Sequence, residues 1–200
     1  MTFDEALNYL KSLDELQITL SGDIGSGKST FGKHLAEDLG IERIYIGALM
    51  REEAARQGIT LEELNTSMQA DETIDKQMDA LQKERSMSMK KGLFEGRTSW
   101  YFVDRPTVRI FLKVDPSAGA TRVWGDSDNK ARDTYDSLED VVRANTKRKA
   151  SEVERFAAYY DIDVYNETNF DVIIDTSTIN IEEVYEQGVI AIAEFLRAKS

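Results

Sequence analysis

Eight consecutive residues, Gly22-Asp23-Ile24-Gly25-Ser26-Gly27-Lys28-Ser29, have the types and spacing of a polyphosphate cradle, G-x-x-x-x-G-K-[ST]. The glycines let successive backbone N–H groups curl around phosphate oxygens with no Cβ in the way. Lys28 reaches the β- and γ-phosphates of a bound nucleotide, and the Ser29 hydroxyl suits Mg²⁺. The neighbouring segments fit this chemistry. Leu16-Gln17-Ile18-Thr19-Leu20 alternates apolar and polar residues as a strand does. Ser29 to Leu39 places Phe31, Leu35 and Leu39 at helical spacing and stops at Gly40. Strand, loop and helix together aim the positive end of a helix at the same anion, over a binding stretch that runs from Gly22 through Thr30.

The rest of the chain must position this loop and supply whatever meets it. The 200 residues suffice for one domain with a sizeable core. No apolar run approaches the roughly 18 residues that span a bilayer. Met1 to Leu16 carries four carboxylates and one lysine, which suits neither a signal nor a transit peptide. It reads as a short amphipathic helix with Phe3, Leu7, Leu10 and Leu13 inward. With no cysteine there is no disulfide framework or thiolate chemistry, and one histidine, His34, leaves no basis for a zinc site. A cytoplasmic monomer is expected. A net charge of −12 argues against a nucleic-acid polymer as partner, so any anionic substrate must be met by clustered cations.

Short apolar strands alternate with helices, which predicts an α/β fold with a parallel sheet. The strands are expected at Leu16–Ser21, Ile44–Ile46, Gly92–Glu95, Val108–Val114 and Val172–Asp175. Between the second and third lies a helical insertion, residues 47–90. It comprises a helix from Gly47 to Gln57, a second opened by the capping box Thr60-Leu61-Glu62-Glu63, and a third from Asp71 to about Lys90 with Ile74, Met78 and Leu81 as its apolar stripe. After the fourth strand, Trp124-Gly125-Asp126-Ser127-Asp128-Asn129 is dense in turn formers and flanked by Arg122, Lys130 and Arg132. Asp126 and Asp128 do not open an EF-hand, because Ala131 and Ser137 stand where glycine and glutamate are needed. Helices are expected from Leu138 to Tyr160 and from Ile181 to Ala198.

A phosphate loop, a helical insertion after strand two and a basic segment after strand four resemble the nucleoside monophosphate kinases. In detail the chain is similar to the cytidylate kinase group in its compact archaeal-type, or type 2, form. The segments that carry the likeness are Thr19 through Thr30, Gly47-Ala48-Leu49-Met50-Arg51-Glu52, Leu61-Glu62-Glu63-Leu64-Asn65, then Asp71, Ile74, Asp75, Asp79 and Gln82, Glu95-Gly96-Arg97, Tyr160-Asp161-Ile162-Asp163, and Phe170 through Ser177. The resemblance implies a three-layer P-loop NTPase fold with a five-stranded parallel sheet. It implies transfer of the γ-phosphoryl group of ATP, with Mg²⁺, to CMP or dCMP. The insertion at 47–90 corresponds to the monophosphate-binding flap and residues 122–135 to a lid. The core would then be residues 16–46, 91–121 and 138–200.

The same resemblance assigns roles. Arg51 matches an arginine that binds the monophosphate, and Arg97, after the third strand, can reach the same phosphate and act in catalysis. A guanidinium suits this because its planar fork grips phosphate oxygens bidentately. Glu95 stands where an acid either holds Mg²⁺ through water or caps the next turn. Arg148, Glu152 and Arg155 fall at i, i+4 and i+7 on one helix face, as an Arg, acid, Arg triplet does in the family, facing ribose and phosphate. The better-known bacterial form of the family is expected to carry aspartate where Glu152 stands. Arg122, Lys130 and Arg132 would be lid cations over ATP, with Arg132 catalytic. The lid looks sparse, since Gly119 occupies a place where the family often has arginine. Asp79 and Gln82 match base-reading positions, while Trp100 is a core or rim residue rather than a base stack. Two other readings remain open on sequence alone: a P-loop kinase with another phosphorylated acceptor, and a nucleotide-binding regulatory module.

Overall fold

The computed structural model describes residues 1–68, 71–125 and 135–199. Five strands form one parallel sheet: β1 (Leu16–Gly22), β2 (Arg43–Tyr45), β3 (Lys91–Glu95), β4 (Val108–Lys113) and β5 (Val172–Asp175), in the order β2-β3-β1-β4-β5. β1 lies at the centre, with Leu16 opposite Lys91 on one side and Ile18 opposite Val108 on the other. The phosphate loop therefore leaves the middle of the sheet at its carboxyl edge, where ligands of such sheets bind.

One face of the sheet is covered by α1 (Phe3–Ser12), α2 (Lys28–Leu39) and α9 (Ile181–Lys199). Ile18, Leu20, Ile110, Leu112, Val172 and Ile174 point into that layer and meet Phe31, Leu35, Val189 and Ile192. α1 is the expected amphipathic helix. Thr2 and Glu5 form a reciprocal capping box, Ala6 and Leu10 are fully buried, and Phe3, Leu7 and Leu13 pack beside them.

On the opposite face the alternation of β1 does not mean solvent. Gln17, Thr19 and Ser21 are buried too. Gln17 donates through Nε2 to the carbonyls of Ser86 and Met89, each at 2.6 Å, and Ser21 donates to the carbonyl of Gly96 at 2.7 Å. Gln17 and Ser21 are attachment points for the second layer.

The insertion contains α3 (Ile46–Gln57), α4 (Leu61–Ser67), opened by the expected capping box, and α5 (Thr73–Ser88). The expected apolar stripe of α5 is corrected. Asp75, Asp79, Gln82 and Ser86 are the buried residues, while Ile74 packs sideways against Ala54, Leu64 and Met68. The reason lies in what α5 leans on: the polar face of β1, the short helix α6 (Ser99–Phe102) and α8 (Leu138–Tyr160) all offer hydrogen-bonding partners. A buried polar stripe is tolerated when its members are paired. The segment after β4 is also corrected. Pro116–Gly125 is a helix, α7, so Arg122 and Trp124 belong to its last turns and not to an irregular loop. Met87 is largely exposed, whereas Met89 packs against Ile44 and Phe94.

Candidate active site

The loop at the end of β1 is held from beneath. Gly27, at φ +83°, turns the chain into α2, whose first residue is Lys28. A Cβ on Gly25 would stand 2.2 Å from the carbonyl oxygen of Gly119, and one on Gly119 would stand 2.6 Å from that of Ile24. The phosphate loop and α7 thus touch backbone to backbone, and an arginine at position 119 has no room. A mid-helix glycine-to-alanine change ordinarily stabilises by up to about 1 kcal/mol. Here Gly119→Ala is expected to cost about 1–3 kcal/mol through overpacking, read as an earlier urea midpoint. A later midpoint would refute this contact.

Lys28 folds back onto its own loop. Its Nζ donates to the carbonyls of Gly22 at 2.9 Å and Asp23 at 2.6 Å. Burial, then the nearby Arg97 guanidinium, push its pKa well below the ordinary lysine value, with Glu95 and Glu152 pulling the other way. The amine therefore lacks a full counter-charge, which a polyphosphate would supply. Arg122 also faces the cavity, anchored by donation from Nη1 to Thr176 Oγ1 at 3.0 Å and from Nη2 to the Thr176 carbonyl. Lys130 and Arg132 lie outside the described residues.

The cations expected on the acceptor side converge on the same space. A single cavity of about 790 Å³ is lined by Ile24 to Thr30 of the loop and by Arg51, Glu95, Arg97, Arg148, Glu152 and Arg155. That is ample for a drug-sized ligand and on the scale of two small ones. Arg51 donates to Tyr45 Oη at 2.8 Å and lies over its ring. Arg97 donates through Nε to Glu152 at 2.6 Å and through Nη1 to the carbonyl of Gly22, so it touches both halves. Glu152 also accepts from Arg148 Nε at 2.9 Å. Burial alone would raise the Glu152 pKa, but Arg97 and Arg148 outweigh it and hold the carboxyl far below the usual range. The triplet on α8 is thus divided. Glu152 fixes two arginines, while Arg155 turns to Asp75 at 2.9 Å and to the carbonyl of Asn65 at 3.3 Å. Burial raises the Asp75 pKa to about 7 against the pull of Arg155.

Asp79 lines the cavity and accepts from Thr98 Oγ1 and Tyr160 Oη, each at 2.6 Å. Gln82 does not line it. Fully buried behind the wall, Gln82 donates to Asp79 at 3.3 Å and accepts from Ser99 Oγ, so its amide is occupied within the protein. Trp100 sits edge-to-face with Tyr101 and Phe170, away from the cavity, as expected of a rim residue.

Ser29 and Glu95 both line the cavity, but Glu95 already accepts from Arg43 Nε at 2.9 Å. Among the described residues no group of three or more acidic or histidine side chains is placed to hold a metal by itself. One hydroxyl and one carboxylate beside a phosphate loop nonetheless fit Mg²⁺, which keeps waters and takes phosphate oxygens as its other ligands. Three residues close to the site escaped the sequence reading: Arg43, Lys149 and Tyr165. Lys149 Nζ pairs with Asp23 Oδ1 of the phosphate loop at 2.8 Å. The sequence held no signal for this pair, which is 126 residues apart.

Known proteins resemble this chain in sequence and in fold. The cytidylate kinase of Archaeoglobus fulgidus is 33% identical over 172 residues, covering 86% of this chain and 91% of that protein. That of Methanocella arvoryzae is 36% identical over 160 residues, covering 80% and 87%. Among solved structures, shikimate kinase from Bacteroides thetaiotaomicron superposes with a TM-score of 0.60 at 19% identity, over 91% of this chain and 98% of that one, a likeness of fold. A sequence model of the cytidylate kinase-like family matches residues 17–178, and the chain belongs to that family.

Proposed function

We propose that this protein transfers the γ-phosphoryl group of ATP to the phosphate of CMP or dCMP, giving ADP and CDP or dCDP. The observation that carries the reading is the shared cavity, in which Arg97 bonds to the phosphate loop and, through Glu152, to the acceptor helix. An acceptor phosphate oxygen attacks the γ-phosphorus in line, the bond to the β,γ-bridging oxygen breaks, and ADP leaves. The protein's part is positioning and charge. Loop amides and Lys28 hold the donor phosphates. Arg51, Arg97 and Arg148 hold the acceptor phosphate and face the charge that develops between the two. Asp79, already fixed by Thr98 and Tyr160, and Arg155 with Asp75 close the far end, where a base would lie. Mg²⁺, held by the Ser29 hydroxyl and through water by Glu95, would neutralise phosphate charge.

The insertion at 47–90 would close over the monophosphate and residues 122–135 over ATP, excluding water that would otherwise hydrolyse it. Lys130 and Arg132 would act in that second flap. No helix among the described residues is long and apolar enough to cross a membrane. A cytoplasmic monomer remains our expectation.

The test is ADP release from ATP–Mg²⁺ with CMP, dCMP, UMP, AMP, GMP or no acceptor. Fast release with CMP or dCMP alone is expected. Absence of acceptor-dependent ADP under conditions where ATP binds would overturn the reading.

A further inference from the structure

Tyr165 lies outside the cavity, in the loop after α8, yet it touches three of the groups that matter. Its hydroxyl donates to Glu152 Oε2 at 2.5 Å, the same oxygen that accepts from Arg97 Nε at 2.6 Å. The Arg97 guanidinium lies 5.3 Å from its ring centroid, and Lys149 Nζ, on the way to Asp23, lies 4.3 Å from it. The ring is in turn set edge-on by Phe111 of β4, and the backbone N–H of Tyr165 is fastened to Asp163 at 2.9 Å. Burial, together with the Glu152 carboxylate, raises the phenol's pKa against the pull of Arg97, so it stays a proton donor.

We propose that Tyr165 is a positioning residue for phosphoryl transfer: its hydroxyl fixes Arg97 through Glu152, its ring seats Lys149 on Asp23, and together these hold the acceptor-side cations in register with the phosphate loop. The contacts form a closed path. Gly22 and Asp23 of the loop bond to Arg97 and Lys149, and both cations converge on one aromatic side chain. A carboxylate shared by two arginines can swing toward either one. A third donor, on Oε2, removes that freedom, and hydrogen bonds to charged groups are strong enough to decide the geometry. A ring in contact with two cations adds a second restraint.

This inference rests on the kinase reading for its kinetic test, so it needs a second readout that does not. With ATP–Mg²⁺ and CMP both varied, Tyr165→Phe keeps the ring and loses the hydroxyl. Its kcat is expected to fall about tenfold, the equivalent of one partly lost charged hydrogen bond, with the KM for ATP within twofold of wild type. Tyr165→Leu also loses the cation contacts and is expected to fall about a hundredfold, so phenylalanine partly rescues. The independent readout is hydrogen exchange at the Arg97 side-chain Nε–H, followed by NMR and assigned with Arg97→Lys. It is expected to be slow in wild type and at least tenfold faster in Tyr165→Phe. A wild-type protein inactive with every acceptor, but showing that exchange difference, would sink the kinase reading and leave the positioning role standing. Tyr165→Phe with wild-type kcat and wild-type exchange overturns the positioning role. So does activity lost only in proportion to the unfolded fraction in both variants.

Discussion

Lys28→Ala is expected to lower kcat for phosphoryl transfer by about a thousandfold, as loss of a single preorganised charge-stabilising group does, while leaving the protein folded. The amine is buried, and burial and Arg97 depress its pKa, so removing it relieves a charge held at a cost. Its two carbonyl partners, Gly22 and Asp23, lie beside the cavity and have other partners in reach. ATP reverses the situation by bringing negative charge to the amine and raising its pKa. At pH values between the depressed and the restored pKa, binding must take up a proton, so wild-type affinity falls as pH rises. Calorimetry in two buffers of different ionisation enthalpy reads that uptake directly. The alanine variant should show none of it from this group, and an unchanged uptake would assign the proton elsewhere.

Glu152→Ala is expected to be the most destabilising single change at the site, by about 3–5 kcal/mol, because it strands buried Arg97 without its carboxylate. Its pH dependence follows from the depressed Glu152 pKa. The unfolded carboxyl titrates near about 4.3 and the folded one below that. The stabilisation is therefore complete above the unfolded value and is lost as pH falls toward the folded one. Urea unfolding of wild type and variant should differ most at neutral pH and converge in acid. A gap that widens in acid would contradict the ion-pair account. Activity should fall with stability, since Arg97 and Arg148 both lose their anchor.

Much of this was legible in the chain. The spacing of Gly22 to Ser29 fixed strand, loop and helix together, and the five strands lie within one or two residues of their expected places because their apolar runs are short and bounded by turn formers. What escaped was which face of an element is buried when the buried face is polar. The expectation for α5 followed Ile74, Met78 and Leu81 because periodicity counts apolar residues. The fold instead buried Asp75, Asp79, Gln82 and Ser86 against partners contributed by β1, α6 and α8, which no local window contains. Gln82, matched to a base-reading position by the family resemblance, has its amide engaged by Asp79 and Ser99, partners that no local window shows. Glu152 was placed on the correct helix face, but its role as the anchor of Arg97 and Arg148 depends on contacts that span 55 and 4 residues. The end of α7 escaped as well, because the turn-forming Trp124-Gly125 closes that helix rather than opening an irregular segment.

The central place of β1 has a consequence for how the protein is made. The strand emerges first from a ribosome, yet its neighbours are β3 and β4, and its pairing ends only at Leu112. At about 5–20 residues per second, the phosphate loop waits roughly 5–20 s for both flanks, with the backbone hydrogen-bonding groups of β1 unpaired on both edges. Nucleotide cannot rescue the nascent chain during that interval, because the loop has no rigid base until β4 has docked. Chaperone dependence should therefore track the delay before β4 emerges, so synonymous codons that slow translation between β1 and β4 would lower the yield of folded protein more than the same codons placed after it.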